Sequence, residues 1–145
     1  MIYIREDNTP IEILASRYYL KNATKYNENN KFSKSIISST QAIKLDNNNS
    51  EAYYARGLAY FNKYQLDRAL EDYTQAISID SKVPSYYLMR AEAFDAKKQI
   101  DLVIKDLEKA IDLDSNGTYK YLFEEFGIRN YSRQVGLYFI NKFKE

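Results

Sequence analysis

Two pairs of adjacent carboxylates, Glu71–Asp72 and Glu124–Glu125, are the side chains of this sequence that come nearest to a general acid–base arrangement. Such chemistry needs two titratable groups whose surroundings separate their proton affinities. Both pairs fall in stretches of helical periodicity and read as solvated faces. Arg68 stands four residues before Asp72, the spacing of an intrahelical ion pair. The 145-residue chain contains no Cys and no His. That removes the thiolate and imidazole ligands of structural zinc and the usual base of a nucleophilic triad. The sequence also carries no phosphate-binding loop, nucleophile motif or metal-ligand spacing. No catalytic residue, metal or cofactor is expected, and the chain does not read as an enzyme.

Charge excludes two further classes of function. With 21 basic and 20 acidic residues the formal net charge is +1, which gives no electrostatic footprint for nucleic acid or an anionic membrane. No apolar run approaches the roughly 18 residues of a membrane span, and the start, Met1 to Asp7, lacks the basic and apolar regions of a signal peptide. A soluble, cytoplasmic protein is the expectation. Hydrophobic residues at 45% and charged residues at 28% describe a globular chain, long enough for one domain.

The elements that position these side chains follow from a self-similarity of 34 residues: Ala42, Ala76 and Ala110 occupy equivalent places, as do Tyr19, Tyr53 and Tyr87, then Ala23, Gly57 and Ala91, then Tyr26, Tyr60 and Phe94. A fixed period of this length marks a helical repeat array, in which each unit buries its apolar face against its neighbours. Thr9-Pro10-Ile11-Glu12 reads as a helix start, with Thr9 as cap, Pro10 in the first turn and Glu12 completing a capping box. That helix runs to about Asn27, and Asn29-Asn30 makes the turn. A second helix spans about Phe32 to Leu45, with Ile36, Ser39, Ala42 and Ile43 on its inner stripe. Asn48 with Glu51 resembles the next cap. The pair recurs at about Ser50 to Lys63 and Leu66 to Ile79, and again at about Pro84 to Lys97 and Ile100 to Leu113.

This pattern resembles the tetratricopeptide repeat, with a bulky residue at position 4, small at 8, aromatic at 11, small at 20, aromatic at 24 and Ala at 27. The second unit supplies Tyr53, Gly57, Tyr60, Ala69, Tyr73 and Ala76. The third supplies Tyr87, Ala91, Phe94, Val103, Leu107 and Ala110, and the first Tyr19, Ala23, Tyr26, Ser35, Ser39 and Ala42. Val103 is larger than the pattern prefers, Ser39 is a weak core residue, and position 32 holds Asn47, Ser81 and Ser115 where Pro is frequent. The resemblance implies an all-α, right-handed tetratricopeptide-repeat solenoid of three helix-turn-helix repeats plus C-terminal capping helices. Residues 1–9 form a frayed N-terminal extension that could instead fold into the groove. Residues 10–145 form the repeat domain, with repeats at about 16–49, 50–83 and 84–117 and capping helices at about 118–144. Small residues let the two helices approach closely, and aromatics fill the space between hairpins.

The C-terminal stretch departs from the repeat. Tyr119, Leu122, Phe123 and Phe126 suit one further helix, and Ile128, Tyr131, Val135, Tyr138, Phe139 and Phe143 mark one face of a last one. Covering the final hairpin is the favoured role; pairing with a second copy of the chain is the alternative.

The resemblance also implies that positions 2, 5, 9, 12 and 13 of each first helix face a concave groove. Arg17, Leu20, Thr24, Asn27 and Glu28 take these places in the first repeat, Glu51, Tyr54, Leu58, Phe61 and Asn62 in the second, and Ser85, Leu88, Glu92, Asp95 and Ala96 in the third. The family's carboxylate clamp, which grips acidic chaperone tails, places Lys, Asn and Arg where this chain has Leu20, Thr24, Ala55, Ser85 and Met89. That subtype is therefore not expected. What remains is an apolar strip, Leu20, Tyr54, Leu58, Phe61, Leu88, Leu122 and Phe126, edged by Glu51, Glu92 and Asp95, with Thr24 between. Contiguous apolar surface marks a partner, and an acidic edge favours a weakly basic one. The expectation is a non-catalytic scaffold or adaptor that holds an apolar, weakly basic peptide or helix of another protein in this groove. The alternatives are that these residues pack helix on helix, or that the chain self-assembles into a homo-oligomer through the groove or its aromatic last helix.

Overall fold

The computed structural model describes residues 8–117 and 133–144, and the helices it contains follow the repeat. They are α1 (Ile11–Glu28), α2 (Phe32–Leu45), α3 (Ser50–Asn62), α4 (Leu66–Ile79), α5 (Pro84–Ala96), α6 (Ile100–Leu113) and α7 (Arg133–Lys144). The chain divides into two compact units, residues 1–81 and 82–145. In the first, α1 packs on α2 and α3 on α4, while α3 also meets both helices of the preceding hairpin. In the second, α5 packs on α6, and α7 packs on α6.

Helix ends show what punctuates the chain. Asn30, Tyr64 and Lys98, one in each hairpin turn, all adopt left-handed backbone at φ 57°, 58° and 62°. The next residue closes each turn by donating its N–H back to the first helix: Lys31 to Tyr26 O at 2.8 Å, Gln65 to Tyr60 O at 2.9 Å and Gln99 to Phe94 O at 3.0 Å. These are the long bonds of a Schellman-type ending, which need one left-handed residue. Two expected caps differ. The N-cap position of α1 is Pro10, not Thr9, and Pro10 has no side-chain bond to give. At α3 the cap is Asn49, not Asn48, and Asn49 Oδ1 accepts from the Ala52 N–H at 3.1 Å.

Small residues occupy the close approaches as the spacing requires. Ala23, Ala42, Ala69, Ala76, Ala91 and Ala110 are fully buried. At Gly57 an added Cβ would lie 2.6 Å from Cε1 of the buried Tyr73 ring and 3.3 Å from Asp72 Cβ, so no larger residue fits there without repacking. Ser39 is also fully buried, and its hydroxyl is satisfied locally by donating to Ser35 O at 2.6 Å. Val103 is accommodated in unit 2, whose core is Ala91, Val103, Leu107, Val135 and Phe139. The last two come from α7, one turn apart. Tyr138 does not share that face: it is exposed, and its hydroxyl donates to Glu108, which also receives Lys142.

Candidate partner-binding surfaces

The carboxylates that invited a catalytic reading have a structural role. Asp72 is 5% exposed and pairs with Arg56, not with Arg68, through two parallel bonds of 2.9 Å from Nε and Nη2. Arg68 instead donates to Gln65 Oε1 and lies over the Tyr60 ring. Burial raises the Asp72 carboxyl above its ordinary value, opposed by the bonds from Arg56, while those bonds raise the Arg56 guanidinium. The same device recurs 34 residues on: Arg90 Nε and Nη2 donate to Asp106, each at 2.7 Å. Each guanidinium also lies over the tyrosine three residues earlier, Arg56 over Tyr53 and Arg90 over Tyr87, both at 5.7 Å. Arg56 Nη1 further reaches Thr40 Oγ1 at 3.2 Å, joining the first hairpin to the second. Glu124 and Glu125 lie outside the described residues. Among the described residues no cluster of acidic side chains could hold a metal ion.

A polar relay fixes the orientation of α1 and α3. Asn49 Nδ2 donates to Ser16 Oγ at 3.1 Å, and Ser16 Oγ donates to Ala42 O at 2.9 Å. Asn27 Nδ2 donates to Ala55 O at 2.8 Å. Asn27 is therefore committed to holding two first helices together and is not offered to a ligand.

Beside α1, the structure brings Leu20, Thr24 and Glu51 together on an open concavity of about 570 Å³. Arg17, Lys21 and Lys25 border it on α1, and Glu28 lies at the same rim. Tyr54, Leu58 and Phe61 do not line this concavity; they are half-buried on α3, and Tyr54 packs its ring 5.9 Å from that of Tyr73. The clamp positions on these helices are unsuited to gripping a carboxylate: Leu20 is apolar, Ala55 is buried, and the Thr24 hydroxyl donates to Leu20 O at 3.1 Å.

Unit 2 presents its own part of the expected set. Leu88 is half-buried and packs against the core of the unit, so its surface is shared with the fold. Glu92 reaches solvent, yet enough protein surrounds its carboxyl that desolvation, followed by repulsion from Asp95, raises it above the ordinary value. Leu122 and Phe126 lie outside the described residues. Periodicity alone did not reveal the cationic rim of α1, because Lys21 and Lys25 fall outside the positions assigned to the groove. Their spacing from Arg17, four and eight residues on, was the available signal.

Helix pairs of this length, repeated at one period and closed by the same turn, define an all-α helical repeat protein. The tetratricopeptide repeat family matches residues 50–83 and, separately, 84–116, and the chain is a tetratricopeptide repeat protein. Solved structures with the same fold include the Arabidopsis OM64 TPR domain, at 24% identity and TM-score 0.73, covering 79% of this chain and 94% of that one. The TPR2B domain of yeast Sti1, solved as a complex with pHsp70, aligns at 17% identity and TM-score 0.74 over 89% of this chain and 98% of its own. The Yersinia enterocolitica type III secretion chaperone SycD, solved with a peptide of the translocator YopD, aligns at 20% identity and TM-score 0.70, covering 89% and 94%. Sequence comparison with curated proteins returns no match. No described helix is long and apolar enough to cross a membrane.

Proposed function

We propose that this protein is a non-catalytic, cytoplasmic scaffold that holds a segment of another protein on the first helices of its repeats, without nucleic acid or membrane as partner. The observation that carries this reading is the half-exposure of Leu20 on α1 and of Tyr54, Leu58 and Phe61 on α3. The hairpin interiors are filled by alanines, Gly57 and Tyr73, so these four side chains have apolar surface left over. Covering what remains of one such side chain is worth a fraction of the roughly 1.5–3 kcal/mol of full burial, and an amphipathic helix is the usual means. The peptide complexes of SycD and of the Sti1 domain support the same use of this fold. On α5, Glu92 and Asp95 favour basic residues in a segment that docks there.

Affinity capture with the full chain tests the proposal, comparing wild type with a Leu58→Arg, Phe61→Glu variant whose helicity is checked by circular dichroism. A partner held by wild type and lost from the variant is the expected result; equal capture would remove these faces from the binding site. The alternative, self-assembly, draws on Leu137 and Tyr138, which α7 leaves 47% and 37% exposed. A mass that rises with concentration would mark it.

A further inference from the structure

The concavity of the first unit carries a charge pattern that apolar docking does not use. Arg17, Lys21 and Lys25 recur at every fourth residue of α1, so they stack on one face and span roughly 12 Å at 1.5 Å of rise per residue. All three are exposed, and none of these side chains has a hydrogen bond or ion pair among the described residues. Like charges at this spacing oppose a helix, and the three cations on this concavity outnumber its two carboxylates, Glu28 and Glu51. Arg56, the cation that serves the fold, is by contrast paired through three bonds. The first unit thus ties Arg56 into its fold and leaves these three cations along the edge of an open concavity.

We infer that this face of α1 is a docking site for an acidic segment of a partner protein. Its carboxylates meet Lys21 and Lys25, and an apolar residue covers Leu20. The inference rests on the scaffold reading and names the chemistry of what the first unit holds. It uses a cation set separate from the carboxylate clamp, whose positions on this helix are Leu20 and Thr24. A short acidic stretch fits this face better than a nucleic-acid backbone does. Glu28 and Glu51 at the rim would repel a continuous run of phosphates, whereas a peptide can place its acids only where the cations stand.

The test uses the full chain and three fluorescein-labelled peptides that share one pattern of Leu at helical spacing, with Glu, Gln or Lys at every other position. Anisotropy is read at low and at physiological salt. The Glu peptide is expected to bind at least about tenfold more tightly than the Lys peptide, to weaken with salt, and to lose its advantage in Lys21→Glu, Lys25→Glu. The control pair Lys34→Glu, Lys63→Glu, on a separate basic concavity, keeps the wild-type order. Tighter binding of the Lys peptide, no binding of any peptide, or an unchanged order in Lys21→Glu, Lys25→Glu overturns the inference. So does displacement of the Glu peptide by a single-stranded oligonucleotide of equal charge. If Phe61→Glu abolishes all binding while Lys21→Glu, Lys25→Glu changes nothing, the α1 site falls and the scaffold reading stands.

Discussion

The first and second hairpins of this protein build one backbone arrangement from opposite chemistries. In α3–α4 the crossing is made by Gly57 against the buried Tyr73 ring and by the Arg56–Asp72 ion pair. In α1–α2 the same places hold Ala23 and Ser39, and Asn22 and Ser38, all uncharged. The third hairpin takes a middle course, with Ala91 and Leu107 beside an Arg90–Asp106 pair. Where the second helix contributes a larger side chain, as at Tyr73, the first gives up its Cβ. The repeat therefore keeps a small residue on the first helix at this crossing, and it leaves the chemistry of the contact free to vary.

Breaking the ion pair should show the difference most strongly. Asp72→Ala leaves Arg56 partly buried with no carboxylate, and is expected to cost about 2–4 kcal/mol in urea unfolding. Ser38→Ala, the corresponding change in the first hairpin, should cost less than about 1 kcal/mol. Equal losses would mean that the pair contributes nothing specific.

Volume complementarity can be sharpened next. Gly57→Ala gains about 1 kcal/mol of helix propensity but overpacks against Tyr73 by about 1–3 kcal/mol, so a net loss is expected in the same assay. Adding Tyr73→Leu should recover part of it, because Ala91 already stands opposite Leu107 in the third hairpin. A double variant no better than the worse single one would refute the complementarity.

The ion pair can also be transplanted. Ser38→Asp alone buries an unpaired carboxylate and should destabilise, whereas adding Asn22→Arg should restore roughly 1 kcal/mol or more as a coupling energy in a double-mutant cycle. A smaller effect, of opposite sign, is expected at the turns. Tyr64 is 75% exposed in left-handed backbone, a conformation Asn tolerates and already adopts at Asn30. Tyr64→Asn should therefore stabilise by up to about 1 kcal/mol.

The smallest effect is one of pH. Bonds from Lys142 and then Tyr138 hold the Glu108 carboxyl below its ordinary value. A carboxyl depressed in the folded state adds stability above its unfolded pKa of about 4.3 and loses it as pH falls through the folded value. Acid unfolding of the wild type and of Glu108→Gln should therefore differ above the unfolded pKa of about 4.3 and converge only once pH has fallen through the lower, folded value. Parallel curves throughout would separate Glu108 from the docking of α7.

The sequence made the hairpins legible because their determinants are local. Helical spacing, Pro84 at a helix start and three turns in one register set α2, α4 and α6 to the residue. The ion pairs were less accessible, since the rule for neighbours on one helix links Asp72 to Arg68. The true partner, Arg56, lies 16 residues away on the other helix of the hairpin. Only the repetition of that separation at Arg90 and Asp106 signals it. Of the expected groove set, Leu20, Thr24 and Glu51 line one concavity. Spacing left unseen that Leu88 is shared with a core and that Asn27 is bonded to Ala55 O. Those outcomes depend on packing between helices distant in sequence.

The central claim, that the first-helix faces hold another protein, is tested most directly by site-specific photocrosslinking in cells. A benzophenone amino acid would replace Leu58 in one variant and the exposed Ser78 of α4 in another. The account predicts a discrete adduct with a different protein from position 58 and none from position 78. Adducts only with a second copy of the chain, or equal labelling from both positions, would contradict it.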